Sequence, residues 1–397
     1  MEPLAPALPF PDREEGTEAV SQVTNLVVLM KENHSFDNYF GMLGRGDGFT
    51  LDPSGAPLNA NPDHDGHPVR AYHQKLPWNP SFGVSQTWDS SHRAWHGGAM
   101  DGFVTTTASH DPMAYLDGTD LPWYYGLART FGMGDRYFAS CLAQTFPNRR
   151  FLQAGTADGL VATTLPGPFV HPPPGGTIWD RLDAQRIGWA NYFVEVPEVA
   201  LWPRNVLRYH HHLHELDTFF EDCRSGNLPP VALITPDVPF ASEGEFEDDQ
   251  VGEAFTATVF EALSHGPQWA GMLFVLTWDE GGGFYDHVPP PAAVPPDDVP
   301  PHIHVPPDEP GGYDRLGFRV PCIVASPYSK PGHVSSVVYD HTSVLATIEH
   351  KWNLRPLTRR DSAANPLWDF LDLSVPPPFA QAPSLPRPTI WPFTGRR

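Results

Sequence analysis

Four short apolar runs, each continuous and rich in β-branched residues, narrow the architectures open to this chain. They are Asn25–Met30 (NLVVLM), Val231–Thr235 (VALIT), Met272–Trp278 (MLFVLTW) and Pro321–Ser326 (PCIVAS). Runs of this kind read as strands of a parallel sheet, because helices cover both faces and no side of the strand meets water. Helical patterns with apolar residues three or four apart occupy Thr177–Arg186, Leu213–Ser225, Gln250–His265 and Thr342–Trp352. Strand and helix alternate, which predicts an α/β fold with a mainly parallel central sheet and helices on both faces.

A chain of 397 residues suits one large α/β domain, expected over residues 20–375, with loop insertions. Forty per cent apolar residues and 12 Trp supply a packed core, while 47 Pro and 34 Gly call for many stiffened connections. Two stretches read as insertions bordering a site or lying on the surface: residues 51–104, rich in Pro, His, Trp and Gly, and the Pro-dominated residues 288–310. Residues 376–397 form a Pro-rich tail, read as a wrap or a disordered end.

The formal charge of −22 argues against nucleic acid as a partner, since phosphate-backbone affinity comes from Lys and Arg, and against broad docking on anionic membranes. A small phosphate ester stays open, because a bound divalent cation reverses the field inside an acidic cleft. Cys141, Cys223 and Cys322 are widely spaced and read as core thiols. Met1–Thr17 lacks a basic segment followed by an apolar one, and no run of 18 apolar residues occurs. The chain as written therefore reads as soluble, without a signal peptide or transmembrane segment and cytoplasmic; a removed leader would make it extracytoplasmic. Oligomeric state is not legible.

Three polar constellations carry chemistry. Glu32 and Asn33 follow the first strand at the edge where parallel α/β sheets bind ligands, offering hard oxygen donors, though the same stretch also reads as an ordinary helix start. Asp279 and Glu280 follow Met272–Trp278 and precede three glycines; adjacent acids repel unless a cation or proton holds them, or unless both are solvated. Thr145 precedes Phe146, Pro147, Asn148 and Arg149. With Pro147 suited to a first helical position, Thr145 falls near a helix N-terminus, as a simple cap or as a hydroxyl facing an anion.

Together these elements resemble the phospholipase C and acid phosphatase group of phosphoesterases, in the alkaline-phosphatase-like superfamily. The resemblance rests on ENHSFDNYFG at Glu32–Gly41, TFPNR at Thr145–Arg149, WDEGGGFYDHVPPP at Trp278–Pro291, GFRVPCIVASPYS at Gly317–Ser329 and YDHTSVLATIEHKW at Tyr339–Trp352. It implies a hydrolase of phosphoric esters with an alkaline-phosphatase-like fold. Glu32, Asn33, Asp279, Glu280 and Thr145 are implied as the site of a divalent ion: calcium, magnesium, manganese or zinc. Thr145 is implied as the nucleophile that forms a phosphothreonine intermediate, with Asn148 and Arg149 beside the substrate. A Thr at this position, not a Cys, disfavours a formylglycine sulfatase.

Two positions depart from the family pattern: Gln86 and Glu243 stand where relatives commonly carry histidines that bind phosphate or protonate the leaving group. His92 and His287 are the weak substitutes. The run His210, His211, His212 and His214 offers transition-metal ligands but is read as the solvated start of an amphipathic helix. The substrate is expected to be a small phosphate ester or a phospholipid head group. The Trp-rich region at Trp78, Trp88 and Trp95 favours a lipid diester over a monoester, which needs cationic groups for a dianion. A second reading, from Gln86 and Glu243, is a catalytically impaired, metal-dependent binder of phosphorylated ligands.

Overall fold

The computed structural model describes residues 6–78, 83–236 and 241–391. The first five residues of Met1–Thr17 and the last six of the Pro-rich tail lie outside these. The main sheet has eight strands: β1 (Asn25–Lys31), β2 (Gly132–Gly134), β3 (Trp189–Phe193), β4 (Leu213–Glu215), β5 (Val231–Thr235), β6 (Met272–Trp278), β7 (Cys322–Ala325) and β8 (Val334–Ser335). Their spatial order is β8-β2-β7-β6-β1-β5-β3-β4. All neighbours pair in parallel except β7, which is antiparallel to β6 and β2.

The antiparallel β7 corrects its reading as a parallel strand. A parallel return needs a crossover to the far edge of the sheet, normally a helix. The segment joining β6 to β7 is Pro-rich and holds no helix, so the chain re-enters the sheet from the edge where β6 left it.

Seven helices matter to the site and its surroundings: α1 (Phe36–Phe40), α2 (Trp88–Trp95), α3 (Thr145–Ala154), α4 (Ile178–Ala184), α5 (Leu216–Ser225), α6 (Asp249–His265) and α7 (Thr342–Trp352). Here too the sequence pattern needs one correction. His210–His212 forms a 3-10 turn, and Leu213–Glu215 is strand β4 rather than the first turn of α5, because pairing with β3 extends the backbone there.

Every residue of β1 and of β6 is buried, and both strands lie mid-sheet in one hydrophobic core. Each buried Val, Leu, Ile or Phe contributes about 1.5–3 kcal/mol, enough to fix the two strand ends that frame the site. A second cluster, including Ala71, Ala94, Met100 and Phe103, anchors α2 and two short ribbons, Ala60–Pro62 with Pro68–Arg70 and Tyr72–His73 with Ala114–Tyr115. In the tail, Phe379 packs on Phe131 and its carbonyl accepts from Trp269 Nε1 at 2.9 Å. No helix among the described residues is long and apolar enough to cross a membrane.

Candidate active site

Register sets the site. Lys31 of β1 lies opposite Trp278 of β6, so the next residues, Glu32 and Asp279, emerge side by side at the carboxyl edge of the sheet. Asp279 N donates to Lys31 O at 3.1 Å, and Asn33 N donates to Asp279 Oδ1 at 3.1 Å. Asn33 takes a left-handed backbone, φ +65°, and a Cβ on Gly282 would come within 2.0 Å of the Asn33 carbonyl. Only glycine lets the turn after Glu280 close over that backbone.

Helix α3 brings the hydroxyl. Its N-cap is Gln144, so Thr145 is the first helical residue, and Pro147 is the third rather than the first. Pro147 is tolerated because first-turn amides have no partner within the helix. The Thr145 side chain does not cap: Oγ1 donates to Asn33 Oδ1 at 3.4 Å. Asn148 is fully buried, its Oδ1 accepting from Ser140 N and Cys141 N at 2.9 and 3.1 Å and its Nδ2 donating to Ala143 O at 2.9 Å. Its amide holds the turn that presents Thr145 rather than facing a substrate.

Arg149, one helical turn beyond Thr145, joins the carboxylates. Nε contacts Asp279 Oδ2 at 2.8 Å, Nη1 contacts Glu198 Oε2 at 2.9 Å, and Nη2 contacts Glu32 Oε1 at 3.4 Å and Lys31 O at 3.1 Å. Burial opposes its charge, but Glu198, Asp279 and Glu32 outweigh burial and keep it protonated. It lines the pocket, yet all three nitrogens are engaged by the protein. Glu198 is a site residue that sequence reasoning missed. It sits in a 3-10 turn after β3, outside every recognisable motif, and no local signal marks it.

Three acids contact this one guanidinium, and Glu280 feels the charge of two of them, Asp279 and Glu32. Burial drives Glu32 up to about 8, with Arg149 opposing and Asp279 adding to the rise. Burial, then the Asp279 charge, pushes Glu280 well above the carboxylate range, and its Oε1 is buried with no hydrogen-bond partner. Such an acid-rich oxygen set, with an orphaned carboxylate oxygen, is of the chemical type that hard divalent cations take, though both Asp279 oxygens here accept protein hydrogen bonds.

The pocket over this edge measures about 720 Å³ and includes Glu32, Asn33, Thr145, Arg149 and Glu198 in its lining. A smaller recess of about 110 Å³ adjoins it, lined by Asn33, Val84, Gln86 and Glu245 among others. Leu165, Val196 and Phe246 line the larger pocket and are 81%, 63% and 53% exposed, which gives the mouth an apolar rim. That rim replaces the one expected of tryptophans: Trp88 is buried in a separate cluster with Tyr313, Trp95 packs on the second core, and Trp78, though exposed, is not in the lining.

Of the other predicted residues, Gln86 reaches the recess, where Nε2 donates to Glu245 Oε1 at 3.3 Å and Oε1 has no partner. Glu243 does not line the pocket. Fully buried, it pairs with Lys31 Nζ at 3.2 Å and accepts from Tyr39 OH at 2.9 Å and Trp278 Nε1 at 2.8 Å. The acid that lines both cavities is Glu245, two residues along, a register no motif in that loop fixes. His92 and His287 also lie outside the lining. His92 bonds its own helix at Trp88 O, 2.8 Å, and packs on the Trp88 ring. His287 joins a separate network, with Nδ1 2.7 Å from Asp37 and Nε2 3.3 Å from Asp47. Arg319 completes that network through Asp37 and Asp286, at 3.0 and 2.8 Å.

The Phosphoesterase family model matches residues 23–355. Non-specific phospholipase C4 of Arabidopsis thaliana is 30% identical over 86% of this chain and 70% of its own length. Phospholipase C A of Mycobacterium tuberculosis is 30% identical over 94% of this chain and 81% of its own. Hemolytic phospholipase C of Pseudomonas aeruginosa is 29% identical over 87% of this chain, which spans about half of that protein, 54%. With the family model spanning both strand ends, the Thr145 helix and β7, this chain belongs to the Phosphoesterase family and is a hydrolase acting on phosphoric ester bonds.

Proposed function

We propose that this chain is a metal-dependent phosphodiesterase of phospholipase C type, with Thr145 as nucleophile. The observation that carries the reading is the Thr145 hydroxyl, at the start of α3, held on Asn33 in a pocket that Glu32 also lines, with Asp279 and Glu280 buried directly behind Asn33. Glu32, Asn33, Asp279, Glu280 and the Thr145 hydroxyl would hold the divalent ion. When bound, that ion supplies charge neutralisation for the phosphoryl group and favours loss of the hydroxyl proton. The N-terminus of α3 offers dipole and amides to the phosphoryl oxygens. Oγ1 of Thr145 bonds to phosphorus as the bond to the leaving alcohol breaks, giving a phosphothreonine that still carries the head-group ester, and water then releases the head-group phosphomonoester and restores the hydroxyl. The leaving oxygen gains a proton; Gln86 has none to give, and Glu245 beside it is the ionisable group facing that recess.

Pocket chemistry favours a diester with a cationic head group over a dianionic monoester. Five glutamates line it, Glu32, Glu195, Glu198, Glu245 and Glu247, and the one cation in the described lining, Arg149, is already paired. The apolar rim suits acyl chains, and the relatives named phospholipase C agree with that assignment. The alternative, a binder with little turnover, is motivated by Gln86 in a histidine's place. Hydrolysis of a choline phosphodiester and of a chromogenic monoester, each with added calcium, magnesium, manganese or zinc, tests the reading. Metal-dependent turnover of the diester exceeding that of the monoester is expected. Binding of both without hydrolysis under any ion overturns it.

A further inference from the structure

The opposite edge of the sheet, at the amino ends of β3 and β4, carries a second constellation that the hydrolase reading does not use. His212 Nδ1 lies 2.8 Å from the carbonyl oxygen of Trp189. A carbonyl only accepts, so Nδ1 bears the hydrogen and Nε2 of the neutral ring is left as a lone-pair donor. That nitrogen faces Asp183 Oδ1 at 3.4 Å. In the neutral ring, therefore, two acceptors confront each other, an arrangement that only a shared proton or a cation relieves.

The ring is also fixed in place. It stacks on Trp189 at a centroid distance of 4.1 Å and an interplanar angle of 15°, and the His211 ring, tilted by 42°, has its centroid 4.2 Å away. One ligand atom from each of Asp183, His211 and His212 lies within 4.8 Å of the other two. In a tetrahedral zinc site with bonds of about 2.0–2.1 Å, neighbouring ligand atoms are roughly 3.4 Å apart, the separation already found between His212 and Asp183. His211 and Asp183 are exposed and free to close the remaining distance, whereas His212 is oriented by its backbone carbonyl in the way outer partners orient metal-bound imidazoles.

We propose that Asp183, His211 and His212 form a second metal site, selective for a zinc-class transition ion, which clips the 3-10 turn at His210–His212 to the end of α4. Two imidazoles and a carboxylate favour zinc, copper or nickel over the hard cations suited to the oxygen-only pocket. The ion would brace β4, a three-residue strand at the end of the sheet order, against its neighbours. This inference does not depend on the substrate or nucleophile assigned to the pocket, which lies at the other end of the same strands.

Electron paramagnetic resonance of the tag-free full chain with copper(II) as probe separates the two sites, because the pocket's implied ligands are all oxygen. Coupling to two imidazole nitrogens is expected in the wild type and in Asp279→Ala. It should vanish in an Asp183→Asn, His211→Asn double variant, which leaves the stacked His212 in place. The same double variant should lose at least tenfold in zinc affinity by calorimetry while its hydrolytic rate is unchanged. In the Asp279→Ala background zinc should raise the unfolding midpoint, and adding the double substitution should abolish that rise. Nitrogen coupling and zinc affinity that survive the double substitution, or their absence in the wild type, overturn the proposal.

Discussion

Replacing Arg149 with Met tests whether this side chain is a brace for the carboxylates or a free cation for substrate. The substitution keeps an aliphatic stem and deletes a guanidinium that contacts Asp279, Glu198 and Glu32 at 2.8, 2.9 and 3.4 Å. Removing one partner of a buried pair costs about 3–5 kcal/mol, because the remaining charge stays desolvated. Protonation limits that cost. Glu32, held near 8 by burial, already carries a proton at pH 6, so the loss there comes from the contacts with Asp279 and Glu198. At pH 9 Glu32 is ionised as well, and each further pH unit adds up to about 1.4 kcal/mol per group that must take up a proton. Urea unfolding followed by tryptophan fluorescence in EDTA should therefore show a loss of about 3 kcal/mol at pH 6 and a larger one at pH 9. Saturating divalent ion should recover a substantial part, since a bound cation replaces the missing charge. A loss below about 1 kcal/mol at both pH values, or one that does not grow with pH, would refute the idea that Arg149 neutralises this cluster.

Three further outcomes are expected. Although burial opposes its charge, the hydrogen bond and charge of Asp37 hold His287 near 9, so its pairing stabilises fully below about 6.5 and is lost as pH rises through 9; His287→Gln should cost about 1–3 kcal/mol at pH 6 and little at pH 10 by the same unfolding assay. Glutamate at Leu165 and Phe246 should reduce turnover of a long-chain diester in zwitterionic vesicles at least tenfold while leaving a short, soluble diester within about twofold, and equal effects on both would remove the rim from substrate engagement. Glu245→Gln should slow release of a poor alcohol leaving group by about 10²-fold, in the general-acid range, but barely affect a nitrophenol ester; equal slowing of both would end its role as proton donor.

Much of this site is legible in the chain because its parts are local. β1 and β6 announce themselves as continuous apolar runs, and residues just past such strands face the ligand edge, so Glu32, Asn33, Asp279 and Glu280 follow from position. Thr145 is legible because a helix start has its own signals, even though Pro147 falls two positions later than expected. What escaped depends on distant contacts. The direction of β7 was set by a connection without a helix, not by its own residues. Arg149, Glu198 and Glu32 meet across segments far apart in sequence. Glu243 and Glu245 differ by two positions in an aperiodic loop, and one ends beneath the sheet edge while the other lines the pocket. His92 and His287 are bound to partners that only the folded chain supplies.

Covalent catalysis at Thr145 is the central claim, and acid quenching during steady-state diester turnover, followed by peptide mass spectrometry, tests it most directly. A phosphoryl adduct is expected on Thr145, absent from Thr145→Val, with turnover of that variant reduced by several orders of magnitude and phosphate-analogue affinity largely kept. Thr145→Ser, which retains the hydroxyl, should keep both the adduct and measurable activity. Near-parental turnover by Thr145→Val, with no adduct on any residue of the wild type, would contradict the account and leave water as the attacking group.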